Sequence, residues 1–246
     1  MSSLKPSYSK GRFPSPAQPQ AAPARERARL QLTEAWEYVR DIGYCCKMAL
    51  RALRHPFDVF GGIRSLGRGA GAASVLLLLA AYFVLLISKL TTSYIFDPTE
   101  ASRINPITLL LQYGLPWITW VCANYLISSI MRGQGRLAEV FVGSAFALMP
   151  VVLFSLPLAV LTNVLTLNEK VLVDTGETVI LVWTVVLLYI QVKEVHNYEL
   201  FETGWNIIVS VLFMVGIWVL IFIFAGLSFQ VYDFVVQIVR EVSYRG

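Results

Sequence analysis

Very few side chains in this chain of 246 residues could do covalent or metal chemistry. Its two histidines, His55 and His196, stand far apart, and neither has a second imidazole at the H-x-x-x-H spacing that puts two ligands on one helical face. His196 follows Lys193-Glu194-Val195, and a zinc there needs ligands from elsewhere, so it reads as an exposed interfacial histidine. The three cysteines, Cys45, Cys46 and Cys122, make no disulfide framework. The adjacent pair could be palmitoylated in a eukaryote, but two reduced thiols on a helix face is the preferred reading. There is no G-x-S-x-G elbow, no pair of aspartates within an apolar run and no phosphate-cradling loop. The GRGAGA stretch at 67–72 runs directly into an apolar segment with no strand before it, which makes it a flexible lead-in. The expectation is a protein that is not an enzyme, with no catalytic residue, no metal ligand and no cofactor.

The polar residues inside apolar runs are Gln112, Asn124, Ser128, Ser129, Ser144, Asn163 and Gln191, and no charge lies away from the ends of those runs. Charges buried at membrane depth mark ion and proton paths, so an ion-coupled pump is disfavoured. Asn124, in the middle of its run, is expected to hydrogen-bond a neighbouring helix. The competing reading is a polar groove containing Asn124, Ser128 and Ser144, framed by helices kinked at Pro116, Pro150 and Pro157.

These residues need elements to hold them, and the composition says what kind. Hydrophobic residues make up 56% of the chain and charged ones 15%, against about a quarter charged in soluble domains. Apolar runs at 72–90, 107–131, 140–165, 178–192 and 205–227 are each of a length to cross a bilayer or nearly so. Residues 1–23 are rich in Pro, Ser, Gln and Ala, which predicts a disordered tail and no cleavable signal peptide. Leu32, Trp36, Val39, Gly43, Cys46, Leu50 and Leu53 recur every three or four residues, the stripe of an amphipathic helix. From Gln230 onward, Val231, Phe234, Val235, Ile238, Val239 and Val242 suggest a second one lying at the interface. The expected fold is all-α: a polytopic bundle of five transmembrane helices with amphipathic N- and C-terminal helices. Its parts are the tail at 1–23, a basic helix and linker at 24–71, the membrane domain at 72–229 and an interfacial helix at 230–246.

Charge sets the orientation. Twelve of the 20 Lys and Arg lie in residues 1–71, beside only five acidic residues, and the turn at 132–136 reads RGQGR. Both fall on the cytoplasmic side if the N-terminus does, while the loops after the first and third spans are net negative and fall outside. The acidic loop after the fourth span fits this scheme less well. The partner of the basic region is the anionic lipid bilayer, with no nucleic acid.

The second and third spans carry a family resemblance. Tyr113-Gly114-Leu115-Pro116-Trp117-Ile118 is similar to the Asp-Leu-Tyr-Gly-Pro motif of the YIP family, whose members became known as interactors of Ypt/Rab GTPases; this chain has one more residue between Gly and Pro and lacks the Asp. Ala145-Phe146-Ala147-Leu148-Met149-Pro150 resembles the family's Gly-Tyr, Leu, Pro signature, with Phe146 at the Tyr position. Asn124-Tyr125-Leu126-Ile127, the RGQGR turn, Val140-Phe141-Val142-Gly143, Arg54-His55-Pro56-Phe57-Asp58 and the ending Glu241-Val242-Ser243-Tyr244-Arg245 look like the bacterial branch.

The resemblance covers about residues 50–246. It implies five helices, a cytoplasmic N-terminus, and structural roles for Tyr113, Gly114, Pro116, Trp117, Asn124, Phe146 and Pro150. It also implies a multi-pass protein of the bacterial cell membrane, or a vesicle-trafficking role with Rab-type partners in a eukaryote. The leading functional expectation is a non-enzymatic scaffold or assembly factor for other membrane proteins, with transporter subunits or self-association as partners. The alternative is a transporter accessory component or a lipid or solute transport protein.

Overall fold

The computed structural model describes residues 24–67, 69–97 and 104–245, so the tail expected at 1–23 lies outside the described residues. The chain divides into two compact units, 1–38 and 39–246. Of the first, the described part is the opening turns of helix α1, Ala24–Arg51.

In the second unit, α1 ends before His55 and Pro56, and the proline starts the short α2, Pro56–Gly61, where its missing N–H costs nothing. Of the apolar stripe of α1, Cys46 and Leu53 pack against the core in part. Val39, Gly43 and Leu50 are exposed, and Cys45, Ala49 and Ala52 are buried instead. Small side chains let a helix approach its neighbours closely, so here size rather than hydrophobicity selects the inner face.

Helix α3, Ala70–Thr91, likewise buries Ala73, Ser74 and Ala81. Helix α4, Pro106–Ile130, is started by Asn105, whose side chain accepts from the N–H of Ile107 at 2.9 Å. The third span is broken in two. Helix α5, Leu137–Phe146, stops at Ala147-Leu148, and α6, Met149–Leu161, begins with Pro150 in its first turn. The break leaves few orphans, since the Ala147 N–H reaches Gly143 O at 3.0 Å and the Leu148 N–H reaches Ala145 O at 3.2 Å.

Helix α7, Lys170–His196, is longer than the apolar run at 178–192 predicts. Asp174 and Glu177 belong to the helix and not to a loop, because Glu169 caps the preceding turn by accepting from the N–H of Thr166 at 2.8 Å. Helix α8, Leu200–Arg245, runs 46 residues without interruption, so 230–245 continue the last span and form no separate helix. No proline or glycine follows Gly226 until the last residue to force a turn.

Helix α3 packs on α5 and α6, α7 on α2, α5, α6 and α8, and α4 on α5 and α8. Phe60, Val140, Phe146, Leu187 and Val195 form the centre of the core. Among the described residues, four segments are long and apolar enough to cross a membrane: Ala70–Thr91, Leu137–Leu161, Leu167–His196 and Leu200–Ile238. Helix α4, the remaining expected span, has 25 residues and no charge, and at 1.5 Å per residue it measures about 37 Å. Gln112, Tyr113, Asn124 and Tyr125 dilute its apolar character.

Helices α5 and α7 meet at Gly143, where an added Cβ would sit 2.5 Å from Gln191 Cγ. Gly143→Ala should therefore cost about 1–3 kcal/mol in a denaturant titration of the reconstituted protein. Adding Gln191→Ala on that background should recover most of the loss.

Candidate functional site

One group of buried polar side chains lies at the contact between α4 and α8. In the first turns of α8, Thr203, Asn206 and Ser210 share one face at intervals of three and four, and all three are fully buried. Asn206 is the hub. Its Oδ1 accepts from Asn124 Nδ2 at 3.0 Å and from Ser128 Oγ at 3.4 Å, while its Nδ2 donates to Ser128 Oγ at 3.1 Å. Ser210 Oγ donates to the same Oδ1 at 3.5 Å. Asn124 thus bonds a neighbouring helix, as its position suggested. The polar groove drawn around Asn124 and Ser128 is not formed by them, because both are turned into this contact and buried.

Just beyond, two helix ends are fastened to each other. Helix α4 closes with Arg132 in the left-handed conformation, φ 61°, and the Gly133 N–H bonds Ser128 O at 2.8 Å. Helix α7 closes in the same way, with Asn197 at φ 56° and the Tyr198 N–H on Lys193 O at 3.0 Å. The Tyr198 hydroxyl then donates to Ser128 O at 3.2 Å, and the Gln134 N–H reaches His196 O at 3.4 Å.

His196 lies at the centre of this junction and is buried, not an exposed interfacial residue. Its ring stacks on Tyr198 with centroids 5.5 Å apart, and its Nδ1 accepts from the Gly135 N–H at 3.3 Å. A Cβ on Gly133 would approach His196 Nδ1 and Tyr198 OH to 2.6 Å. The glycines of the RGQGR turn are therefore there for space. Burial raises the Tyr198 pKa, which keeps the hydroxyl protonated and able to donate.

Beside the junction, a polar cavity of about 320 Å³ contains Arg64, Glu139 and Glu194. Arg64 Nε pairs with Glu139 at 3.3 Å and its guanidinium also donates to Val195 O at 3.2 Å. A second cavity, of about 1130 Å³, is an apolar groove between α6 and α7.

The motif residues fall into two groups. Phe146 and Pro150 flank the break between α5 and α6, Phe146 wholly buried in the core and Pro150 lining the groove. Trp117 packs edge-on against Phe141 at 5.1 Å, and Asn124 belongs to the polar hub. By contrast Tyr113 is exposed, a Cβ added at Gly114 would come no closer than 3.9 Å to another side chain, and Pro116 lies within α4 with its carbonyl accepting from Thr119 Oγ1 at 3.0 Å. The structure does not bring these seven together into one site. Sequence reading missed Asn206, whose signal was the polar stripe Thr203, Asn206 and Ser210, and it missed the His196 junction.

Among the described residues, no three His, Cys, Asp or Glu side chains gather where they could hold a metal. What remains is a helical bundle with a polar contact between two of its helices, in a chain with several bilayer-length apolar helices: an all-α, multi-pass membrane protein. The Yip1 domain family matches residues 50–231, well over half of the chain, which therefore belongs to the YIP family. No curated protein and no solved structure matches it.

Asn206→Ala should lower stability by about 1–2 kcal/mol, the range of interhelical hydrogen bonds in membranes. Pairing it with Asn124→Ala should cost less than the sum of the two single changes, because both remove one bond. The thiols give a second measurement. Burial raises the pKa of Cys45, with Asp41 adding to it, and burial raises that of Cys46. At neutral pH both are thiols rather than thiolates, so maleimide labelling should be slow and should speed up only in alkaline buffer. Cys46, partly exposed, should label first, and Cys45 only on unfolding.

Proposed function

We propose that this YIP-family chain is a non-enzymatic scaffold or assembly factor that holds other membrane proteins, in a bacterial cell membrane with its N-terminus cytoplasmic. One observation carries the reading. Helix α8 is far longer than its own bundle uses. Its buried stripe ends at Ser210, and every residue from Val219 to Val235 is exposed.

At 1.5 Å per residue the 46 residues of α8 measure about 69 Å, against about 30 Å of hydrocarbon. Phe222, Phe224, Phe229, Tyr232 and Phe234 present large aromatic surface in this free stretch. Aromatic residues are the usual anchors of protein contacts. An apolar membrane helix of another subunit, or a second copy of this chain, is the partner that surface suits. The orientation is supported by the gathering of Arg64, the RGQGR turn and Lys193 at one end of the bundle, with Asp97, Glu169 and Asp174 toward the other.

Photo-crosslinking side chains placed at Phe222 and Phe229 test this in native membranes. The expected product is a protein adduct of one defined mass, absent when the crosslinker is moved to Val75 on the exposed face of α3. Adducts with lipid alone at both α8 positions would overturn the reading.

A further inference from the structure

We propose that the groove between α6 and α7 is a binding site for an anionic phospholipid, with an acyl chain between the two helices and the phosphate held by Lys47, Arg51 and Arg54. The walls are apolar: Leu153, Phe154 and Pro157 on α6, with Val179, Ile180 and Trp183 on α7. Helix α1 and the turn after it supply one side of the lining, including all three of those cations, and among the described residues no carboxylate lines the groove.

Lys47 and Arg51, four apart, share one face of the end of α1, and Arg54 in the turn after it lines the same groove. Among the described residues none of the three has an ion-pair partner. The groove has a definite direction. The α2 helix that follows these cations abuts the far part of α7, where a Cβ on Gly61 would lie 3.5 Å from Glu194 Oε2. Toward the opposite part of α7, Leu158 presses onto Gly176 so closely that a Cβ there would sit 2.7 Å from Leu158 Cδ1. A slot closed by apolar contact at one end and ringed by unpaired cations toward the other has the charge and polarity of a phospholipid with net negative charge.

A zwitterionic lipid fits the walls equally well, but its own ammonium group faces the same cations. The selectivity of the site therefore resides in the headgroup. The inference is independent of the scaffold reading, since it concerns a different face and needs no second protein.

The test uses the full chain reconstituted in phosphatidylcholine vesicles carrying a phospholipid with a diazirine in its acyl chain. One sample contains the phosphatidylglycerol probe, the other the phosphatidylcholine probe. The phosphatidylglycerol probe should label peptides containing Leu153, Phe154 and Val179 more than the phosphatidylcholine probe does, by about fivefold for each engaged cation. The triple variant Lys47→Gln, Arg51→Gln, Arg54→Gln should abolish the preference while leaving labelling by the neutral probe in place, which also reports that the groove is still formed. Leu153→Trp should block both probes at Val179 without touching the cations. Equal labelling by the two probes in the native chain overturns the proposal, as does a preference that survives the triple variant.

Discussion

Helix ends inside or near a bilayer must satisfy their last carbonyls, and in this molecule two of them do so against each other. The carbonyl of Ser128 takes both the Gly133 N–H of its own chain reversal and the Tyr198 hydroxyl from the end of α7. That shared acceptor ties the α4–α5 turn to the α7–α8 turn. Because α8 leaves the junction directly from Leu200, the junction also determines which face of α8 meets α4. Asn206 lies two turns along that face, close enough to Asn124 and Ser128 to complete the seam. Polar contacts of this kind have to carry much of the specificity, because lipid tails are as apolar as the side chains and there is little hydrophobic gain from bringing helices together.

Much of this was legible in the sequence. The helical class and the membrane character follow from the lengths and composition of the apolar runs, and Asn124 was readable because an uncharged polar residue at mid-span has few other uses. The break in the third span was signalled by Pro150, although its placement at Ala147-Leu148 was not. Short motifs in the right order pointed to the family. Local pattern failed where the deciding contact was distant in sequence. His196 looks like a polar residue at a helix end, and only the packing of Gly133 and Gly135, some sixty positions earlier, makes it a core residue. In α1 the hydrophobic stripe was an incomplete guide, because close approach buried Cys45, Ala49 and Ala52 deeper than the Cys46 and Leu53 of the stripe.

The two proposals occupy opposite kinds of surface. The groove between α6 and α7 is concave and edged by charge, which suits a small amphiphile. The outer part of α8 is an exposed helix that presents large aromatic side chains on its surface. A bundle with both features can bind a lipid at one place and a helix at another without either excluding the other.

The family match begins at Leu50, within α1, and stops at Val231, within α8, so both of its limits fall inside continuous helices. At the second limit there is no hinge. A load applied near Phe234 travels as torque down an unbroken rod to Asn206 and the junction beyond it. Residues outside the shared domain can therefore set the tilt of its final helix mechanically, with no chemical signal and no flexible linker between them.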